Sequence, residues 1–365
     1  MLPQTMTASV PTLPMVNAFI RKHFVHLISL VALLAFLTPG FCAEVRSHKA
    51  IYGQLDASGA SLFLMMLSAA IQCSFGAFRG VLSRPRPLLA CLLQYFIVLP
   101  ASCWLLAQVC VPLLGANLGE PIQIGLELVI LMPVAATSAI WVRDTKGDLQ
   151  LLVSLVVITM SVGTLIAPTY LFYMSGMTAN SIVIPRLMIL RQLMIGVLLP
   201  LVVGLILNKA LRKRLSKVQP YFAFGGNVGL FMAVYLNVGV ASPLLRRLSL
   251  VQIGLAVAII LSVNVINFLL GGVVGRVARL GRNHQVTIEF SSGMRSNGTA
   301  LVVGLASFPH APLVTVPAAI YIIFQHLIAS IVKSRLCKRF GDGEETTAVG
   351  QTAATSAAAT AARAA

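Results

Sequence analysis

The sequence predicts an all-α membrane protein with many spanning helices, and three observations support this fold class. The chain is 58% hydrophobic and only 10% charged over 365 residues, whereas a soluble domain carries roughly 25% charged residues. Its apolar residues form continuous runs of about 20, the length at which a helix crosses a bilayer. A spanning β-barrel would instead alternate polar and apolar residues. The cationic residues lie almost entirely between the runs.

The apolar runs predict ten spanning helices. Their ranges are 24–43, 59–78, 87–110, 121–142, 149–173, 190–208, 220–240, 249–275, 286–306 and 312–333. If the N-terminus lies inside, 20 of the 27 Lys and Arg residues fall in inside segments and six in outside segments. This bias predicts a multi-pass protein of the plasma (inner) membrane with both termini in the cytoplasm.

Ten helices divide into two halves of five, and an odd number of helices forces the halves into opposite orientations. We therefore expect two inverted five-helix repeats, an arrangement common in secondary transporters. The expected organisation has three parts: a cytoplasmic N-terminus (1–23), a ten-helix transporter domain (24–340) and a disordered, Ala/Thr-rich cytoplasmic tail (341–365). An alternative for the apolar run from Leu27 to Leu37, which follows Arg21 and Lys22, is a signal peptide.

The net charge of +17 would suggest a nucleic-acid partner in a soluble protein. Here the cations lie in short loops, where they orient the chain and meet anionic lipid headgroups. No pair among the six cysteines has CxxC spacing, so they indicate neither a disulfide framework nor a metal site. We expect no nucleic-acid partner and no cofactor other than possible sodium ions.

Two of the predicted spans are interrupted by residues that break helices. Span four contains Pro133, which removes a backbone donor, followed by Thr137 and Ser138. Span nine carries two glycines, several polar side chains, Glu289 and Arg295 at mid-membrane depth, where such a stretch cannot face lipid. These spans occupy the same position in the two halves, which indicates a transport site at the midplane. The alternative is a proline kink and a polar helix–helix seam.

Several motifs resemble the bile acid:sodium symporter family, over roughly residues 24–340. They are the run from Phe78 to Pro87 followed by the run from Gln94 to Pro100, span four with Lys146-Gly147-Asp148, the run from Thr164 to Pro168, and the run from Gly293 to Gly298. The resemblance implies ten helices in a core and a panel domain, with helices 4 and 9 discontinuous and crossing near the midplane. It also implies alternating-access symport of an organic anion, usually driven by two sodium ions.

Transferred position by position, the family's sodium ligands are only partly present. At the first site, Ser138 matches a serine, but the next position is Ala139 instead of asparagine, and the acidic ligand of helix nine falls on Ser291. In helix five, Thr159 or Ser161 is the candidate hydroxyl. At the second site, Gln94 matches a glutamine, but the glutamine that follows the methionine of helix nine falls on Arg295.

Arginine offers five donors and no acceptor, so Arg295 would repel an ion at the second site. We hypothesise that Arg295 is a fixed cation that supports the helix crossing and faces an anionic substrate. The alternative is a structural ion pair with Glu289, and both interpretations require the helix to be broken. If coupling does not use sodium, a proton on Glu289 is the expected carrier.

The residues expected to bind substrate are Arg295, Ser291, Ser292, Asn297, Thr137 and Ser138. Those expected to bind ions are Gln94, Ser138, Glu289 and Thr159. Other polar residues in the spans, expected to be structural hydrogen-bonding partners, are Glu127, Asn227, Asn237, Asn264, Asn267, Gln325 and His326. Arg246 and Arg247 either gather anions at the entrance or are simply solvated.

Competing functions receive little support from the sequence. There is no HExxH, no GxSxG and no working pair of carboxylates, so we do not expect an enzyme. An arsenite-type carrier would need a cysteine in helix four, where Ala135 and Ala136 stand, and a channel is the remaining alternative. The sequence does not identify the small organic anion or the oligomeric state.

Overall fold

A computed structural model describes residues 13–47, 49–50, 55–73, 85–176, 182–211 and 214–340. The first half of the cytoplasmic N-terminus, the run from Phe78 through Arg84, and the tail expected to be disordered (341–365) lie outside the described residues. Within them, the chain is almost entirely helical. The exception is a pair of two-residue antiparallel strands, β1 (Lys49–Ala50) and β2 (Leu55–Asp56).

The described residues form eighteen α-helices, eleven of them in the first half of the chain. They are α1 (Leu13–Lys22), α2 (Phe24–Leu37), α3 (Pro39–Ser47), α4 (Ala57–Ala70), α5 (Pro85–Leu93), α6 (Leu99–Ala107), α7 (Cys110–Leu114), α8 (Ala116–Leu131), α9 (Ser138–Asp144), α10 (Leu149–Ile158) and α11 (Thr164–Gly176). A π-helical segment, Gln94–Val98, joins α5 to α6, and another, Thr159–Gly163, joins α10 to α11.

The second half forms seven α-helices. They are α12 (Arg186–Leu193), α13 (Leu199–Ala210), α14 (Leu215–Leu245), α15 (Leu250–Val277), α16 (Arg282–Gly293), α17 (Asn297–Ser307) and α18 (Val316–Phe340). A third π-helical segment, Met194–Leu198, joins α12 to α13, and a 3-10 turn, Pro312–Thr315, precedes α18. Single π-turns inside α-helices are frequent at functional sites.

Six helical stretches among the described residues are long and apolar enough to cross a membrane. They are Pro85–Leu114, Leu149–Gly176, Arg186–Ala210, Lys217–Leu245, Leu250–Val277 and Pro312–Phe340. The shorter apolar helices α4 and α17 lie within two more of the predicted spans. The full count of ten spans and their inverted repeat remain predictions.

The first predicted span, 24–43, was expected to be a single spanning helix, and the structure shows a bent pair of helices instead. It is bent by 95° between α2 and α3, because α3 begins at Pro39 and Thr38 leaves helical geometry at φ −120°. A residue before proline is pushed away from α-helical angles. If it crosses the membrane, the pair does so as a broken helix.

Small residues allow two pairs of helices to approach closely. Gly226 and Gly229 of α14 lie against Ser68 and Ser61 of α4, where an added Cβ would come within 2.6 Å of their atoms. In the other pair, α15 presents glycines to α16, and a Cβ at Gly271 would meet Ser292 Oγ at 2.6 Å. The second contact fixes the polar end of α16, which belongs to the candidate site.

Candidate functional site at the crossing of two broken helices

Two helices end in mid-sequence and meet through their extended backbones. The first, α8, ends at Leu131, and α9 begins at Ser138. The second, α16, ends at Gly293, and α17 begins at Asn297. Between these ends, Val134 and Arg295 form an antiparallel bridge. The interruptions expected in spans four and nine therefore lie side by side in the fold.

The bridge satisfies backbone groups that the broken helices release. Ala135 N donates to Met294 O at 3.1 Å, and Ser296 N donates to Pro133 O at 2.9 Å. Because Pro133 has no N–H, its peptide can only accept at this point. Buried backbone groups need a partner, so each break supplies hydrogen bonds to the other and the two form one unit.

The backbone N–H of each bridge residue donates to a side chain on a neighbouring helix. Val134 N donates to Thr159 Oγ1 at 3.1 Å, and Arg295 N donates to Gln325 Oε1 at 3.1 Å. Thr159 lies in the π-helical segment between α10 and α11, whereas Ser161 hydrogen-bonds only to carbonyls of its own helix. Of the two hydroxyls left open by the sequence, Thr159 is therefore the one at the crossing.

Two tyrosines cap the helix ends at the breaks, and the sequence did not single them out. Tyr95 Oη donates to Leu131 O and Met132 O at 3.0 and 3.1 Å, and Tyr321 Oη donates to Gly293 O at 3.1 Å. The sequence could have indicated Tyr321, because this residue precedes Gln325 by four positions and so lies on the same face of the helix.

Arg295 is the largest fully buried side chain among the described residues, with 1% of its surface exposed. Its guanidinium carbon lies 4.7 Å from the centre of the Tyr95 ring. No hydrogen-bond acceptor among the described residues meets Nε, Nη1 or Nη2. The site therefore contains a buried cation whose donors are available to an anion.

Glu289 does not form the ion pair with Arg295 that the sequence left open. Its carboxylate is paired with Arg335 of α18 instead, and Arg295 is stacked on Tyr95. On an intact helix, residues six apart point in very different directions, and α16 runs unbroken from Glu289 to Gly293 before the chain opens. The break comes too late to bring the two side chains together.

The serines at the breaks donate to nearby backbone carbonyls. Ser138 Oγ donates to Ala135 O at 2.6 Å, and Ser291 and Ser292 donate to Ile288 O at 3.2 and 2.6 Å. Thr137 is half-buried at the start of α9 and makes no capping bond with its side chain. The serine hydroxyls therefore support the breaks in this arrangement.

Two buried amides at the site have unmet hydrogen-bonding capacity. Gln94 and Asn297 are each 1% exposed, and neither side chain meets a partner among the described residues. Gln94 lies next to Tyr95 in the π-helical segment, and Asn297 begins α17. Such amides can coordinate a cation through oxygen or an anion through nitrogen.

The other asparagines in the spans mostly act between helices, as expected. Asn227 donates to Asn17 of α1 at 3.4 Å, while Asn264 and Asn267 donate to Tyr321 O and Oη at 3.5 and 3.2 Å. Asn237 is an exception, because its Nδ2 donates to Ala233 O of its own helix at 2.6 Å. Asn267 and Tyr321 thus form a chain of hydrogen bonds that ends at the broken end of α16.

His326 and Arg246 make the contacts of structural residues, and Glu127 is hydrogen-bonded inside the helix bundle. His326 packs against Phe24 at 4.6 Å between ring centres. Arg246 donates to Phe36 O and lies 4.8 Å from that residue's ring centre, so it is not simply solvated. Glu127 accepts hydrogen bonds from Ser175 and Gln123.

A small apolar cavity lies beside the first break. It is lined in part by Tyr95, Leu131, Gly163 and Tyr170. Arg295, which is 1% exposed, does not line it. Access of an anion to Arg295 therefore requires that helices move.

The sequence of this chain is similar to those of a known protein family. The sequence profile of the sodium bile acid symporter family matches residues 60–269, more than half of the chain. Similar proteins include YbaS of Bacillus subtilis (strain 168), which is 23% identical over 266 residues that cover 72% of this chain and 83% of YbaS.

Two further relatives carry names that refer to sodium. The sodium-dependent transporter YocS of B. subtilis (strain 168) is 24% identical over 84% of this chain and 88% of its own length. The probable sodium/metabolite cotransporter BASS1, chloroplastic, of Arabidopsis thaliana is also 24% identical, over 84% of this chain and 71% of its own length.

Proposed function

The chain belongs to the sodium bile acid symporter family, and from this premise we propose that it is a secondary carrier of an organic anion that works by alternating access. It is an integral multi-pass membrane transporter and not an enzyme. The observation that carries the proposal is Arg295, a buried guanidinium at the helix crossing with no anionic partner among the described residues.

Arg295 is suited to hold one negative charge of a substrate. An unpaired charge at this depth is costly, and a guanidinium with free donors binds a carboxylate through two parallel hydrogen bonds. The Tyr95 ring stabilises the cation through its π face, while the bridge to Val134 fixes the backbone. The substrate that complements this site is a small or amphipathic organic anion.

The residues around Arg295 are poorly suited to sodium, which prefers several oxygen ligands and a carboxylate. Ala139 offers no side-chain oxygen. The Ser138 and Ser291 hydroxyls donate to carbonyls, and Thr159 accepts from Val134 N. The Arg295 guanidinium, stacked on Tyr95 next to Gln94 in the sequence, repels a cation. We propose that both sodium sites are degraded and that Arg295 supplies the positive charge permanently.

Substrate access is proposed to open between the crossing and the α4–α14 pair. A Cβ at Gly298 would come within 2.6 Å of Met65 Sδ of α4 and 3.0 Å of Leu230 of α14. Thr299 Oγ1 donates to Met66 Sδ at 3.7 Å. The Met65 and Met66 side chains are flexible, so they can rearrange when one group of helices moves against the other. Asn297 would then face the opening.

Proton coupling through Glu289 is the second candidate mechanism. Glu289 is 2% exposed in its side chain, but Arg335 lies against its carboxylate. An adjacent cation favours the ionised form, which is the opposite of what a proton carrier needs in the resting state. The ion pair therefore favours a structural role for Glu289.

A counterflow assay distinguishes a carrier from a channel, because only a carrier is stimulated by substrate on the far side of the membrane.

The distribution of cations supports the proposed orientation, with both termini in the cytoplasm of a cell whose plasma (inner) membrane holds the protein. Residues at the ends of α13, α15 and α18 carry much of that charge: Lys209, Arg276, Lys333, Lys338 and Arg339. We assign no oligomeric state.

The decisive experiment is uptake of labelled cholate and labelled pyruvate into proteoliposomes, with and without a sodium gradient. Cholate represents the sterol-like anions and pyruvate the short carboxylates. We expect the wild-type protein to take up at least one of them without sodium. Arg295→Gln should abolish that uptake or make it depend on sodium, whereas Arg186→Gln should leave it unchanged.

Arg186 is a matched control because its guanidinium also lies over an aromatic ring, 4.6 Å from the centre of Phe172, but on an exposed surface. Unchanged sodium-independent uptake by Arg295→Gln would refute the proposed role of the guanidinium. No uptake of any anion tested by folded wild-type protein would refute the substrate class.

A further inference from the structure

Glu127 is a carboxyl group buried in the middle of a helix that leads to the crossing. It lies on α8, one turn before that helix ends at Leu131, and its exposed fraction is 0%. The proposed transport mechanism does not use it. A carboxyl group at this depth is expensive unless it is paired or neutral, so its partners decide its state.

Both partners of Glu127 are neutral. Ser175 Oγ of α11 donates to Oε2 at 2.5 Å, and Gln123 Nε2 of α8 donates to Oε1 at 3.3 Å. None of the ion pairs among the described residues includes Glu127. Glu289, another buried carboxyl group, has Arg335 as its counter-ion. Glu127 and Glu289 therefore differ in whether a cation lies against the carboxyl group, which decides how readily a proton binds.

The titratable groups that face Glu127 give it no positive charge. Cys103 of α6 and Cys110 of α7 are fully buried and lie within electrostatic range of the carboxyl group. The neighbouring α11 contributes the neutral Ser175. These surroundings supply no counter-ion for an ionised Glu127 carboxylate.

A short route connects Glu127 with the protein surface. Ser175 is buried, but the next residue, Gly176, ends α11 and is exposed. The Ser175 hydroxyl can both donate and accept, so it can pass a proton between water at the helix end and the carboxylate.

We propose that Glu127 is the proton-binding site that couples anion movement to the proton gradient; this inference rests on the proposed carrier function. A hydronium ion on one side of the membrane loses one O–H bond and becomes water as its proton forms an O–H bond with the Glu127 carboxylate. After the helices move, that O–H bond breaks and the proton passes to a water molecule on the other side, which forms hydronium again. One proton then crosses with each anion, and the fixed charge of Arg295 serves the anion alone.

The first test does not depend on any substrate. Carbodiimides react with protonated carboxyl groups in apolar surroundings, so purified wild-type protein in liposomes is treated with dicyclohexylcarbodiimide and mapped by peptide mass spectrometry. We expect an adduct on Glu127 at neutral pH that decreases as the pH rises, and much less adduct on Glu289. An adduct on Glu289 with none on Glu127 would overturn the proposal.

The second test measures coupling. Wild-type proteoliposomes should accumulate labelled cholate or pyruvate when the inside is alkaline, and collapse of the pH gradient by an ionophore should reduce accumulation to the equilibrium level. Glu127→Gln should lose accumulation driven by the pH gradient. Glu120→Gln, which removes a carboxyl group two turns earlier on α8, should retain it. Accumulation by Glu127→Gln that still responds to the pH gradient would contradict the proposal.

The two tests separate this inference from the proposed function. Labelling of Glu127 in a protein that transports no tested anion would reject the substrate class and leave the proton site standing. Anion uptake that is independent of the pH gradient in the wild type would reject the coupling role and leave the carrier standing. If Glu127→Gln fails to fold, labelling of the wild type across a pH series still decides whether the site takes up a proton.

Discussion

Val134 and Arg295 face each other across an antiparallel bridge, and each donates its outward N–H to a side chain on a different helix. The acceptors, Thr159 and Gln325, lie on the long helices that follow the two breaks. Each break is therefore supported by the other break, by one side-chain oxygen that accepts from the bridge and by one tyrosine hydroxyl that caps the helix end. This arrangement predicts that loss of either oxygen weakens the whole crossing.

Thr159→Val should destabilise the protein while preserving the shape of the side chain. The substitution leaves Val134 N buried without its acceptor, which costs about 1–3 kcal/mol. In a thermal-unfolding measurement in detergent, we expect Tm to fall by a few degrees. Thr159→Ser is the control, because it keeps the hydroxyl. Equal Tm values for Thr159→Val and the wild type would show that the backbone finds another partner.

Tyr95→Phe should also lower Tm, because Leu131 O and Met132 O both lose the hydroxyl at the end of α8. A hydrogen bond of this kind contributes about 1 kcal/mol net. The ring remains beside Arg295, so the substitution tests the cap separately from the cation contact. Tyr173→Phe, at a 60% exposed tyrosine, should have no effect. A similar Tm change in both variants would contradict this assignment.

Much of this crossing could be predicted from the sequence, because the signals are local. Pro133, Gly293 and the polar stretch around Arg295 mark where helices cannot continue through lipid. The family resemblance assigns Gln94 and Ser138 to the same region. Each of these inferences needs only the order of residues along one helix.

The partners of the buried charges could not be predicted, because they depend on how distant helices face one another. Arg335 lies 46 residues after Glu289 on a helix whose basic end looked like an ordinary loop-facing terminus. The contact of Tyr95 with Arg295 joins residues 200 positions apart. Periodicity gives the face of a helix, but the facing helix is decided by tertiary packing.

The Glu289–Arg335 pair should respond asymmetrically to neutralisation. The Glu289 side chain is 2% exposed, whereas that of Arg335 is 46% exposed. Removal of Arg335 leaves a carboxylate buried without compensation, while removal of Glu289 leaves a cation that water can reach. We expect Arg335→Gln to lower Tm more than Glu289→Gln.

The double variant supplies the control for this asymmetry. Arg335→Gln in the Glu289→Gln background should cause little further loss, because no buried charge remains to be uncompensated. Additive losses would mean that Arg335 stabilises the protein through other contacts, such as packing of its aliphatic stem along α18.

Arg295→Lys separates the charge of this residue from its geometry. Lysine keeps one positive charge but lacks the planar fork that stacks on Tyr95 and binds a carboxylate through two hydrogen bonds. Loss of one of the two charge-assisted hydrogen bonds to a carboxylate costs roughly 1.5–3 kcal/mol. Initial rates of labelled-anion uptake should therefore fall by about tenfold or more, yet remain above those of Arg295→Gln.

If Arg295→Lys and Arg295→Gln were equally inactive, the planar geometry of the guanidinium would be essential and a positive charge alone would be insufficient. If Arg295→Lys matched the wild type, any cation at this position would serve, and the role of the Tyr95 ring would be limited to capping α8.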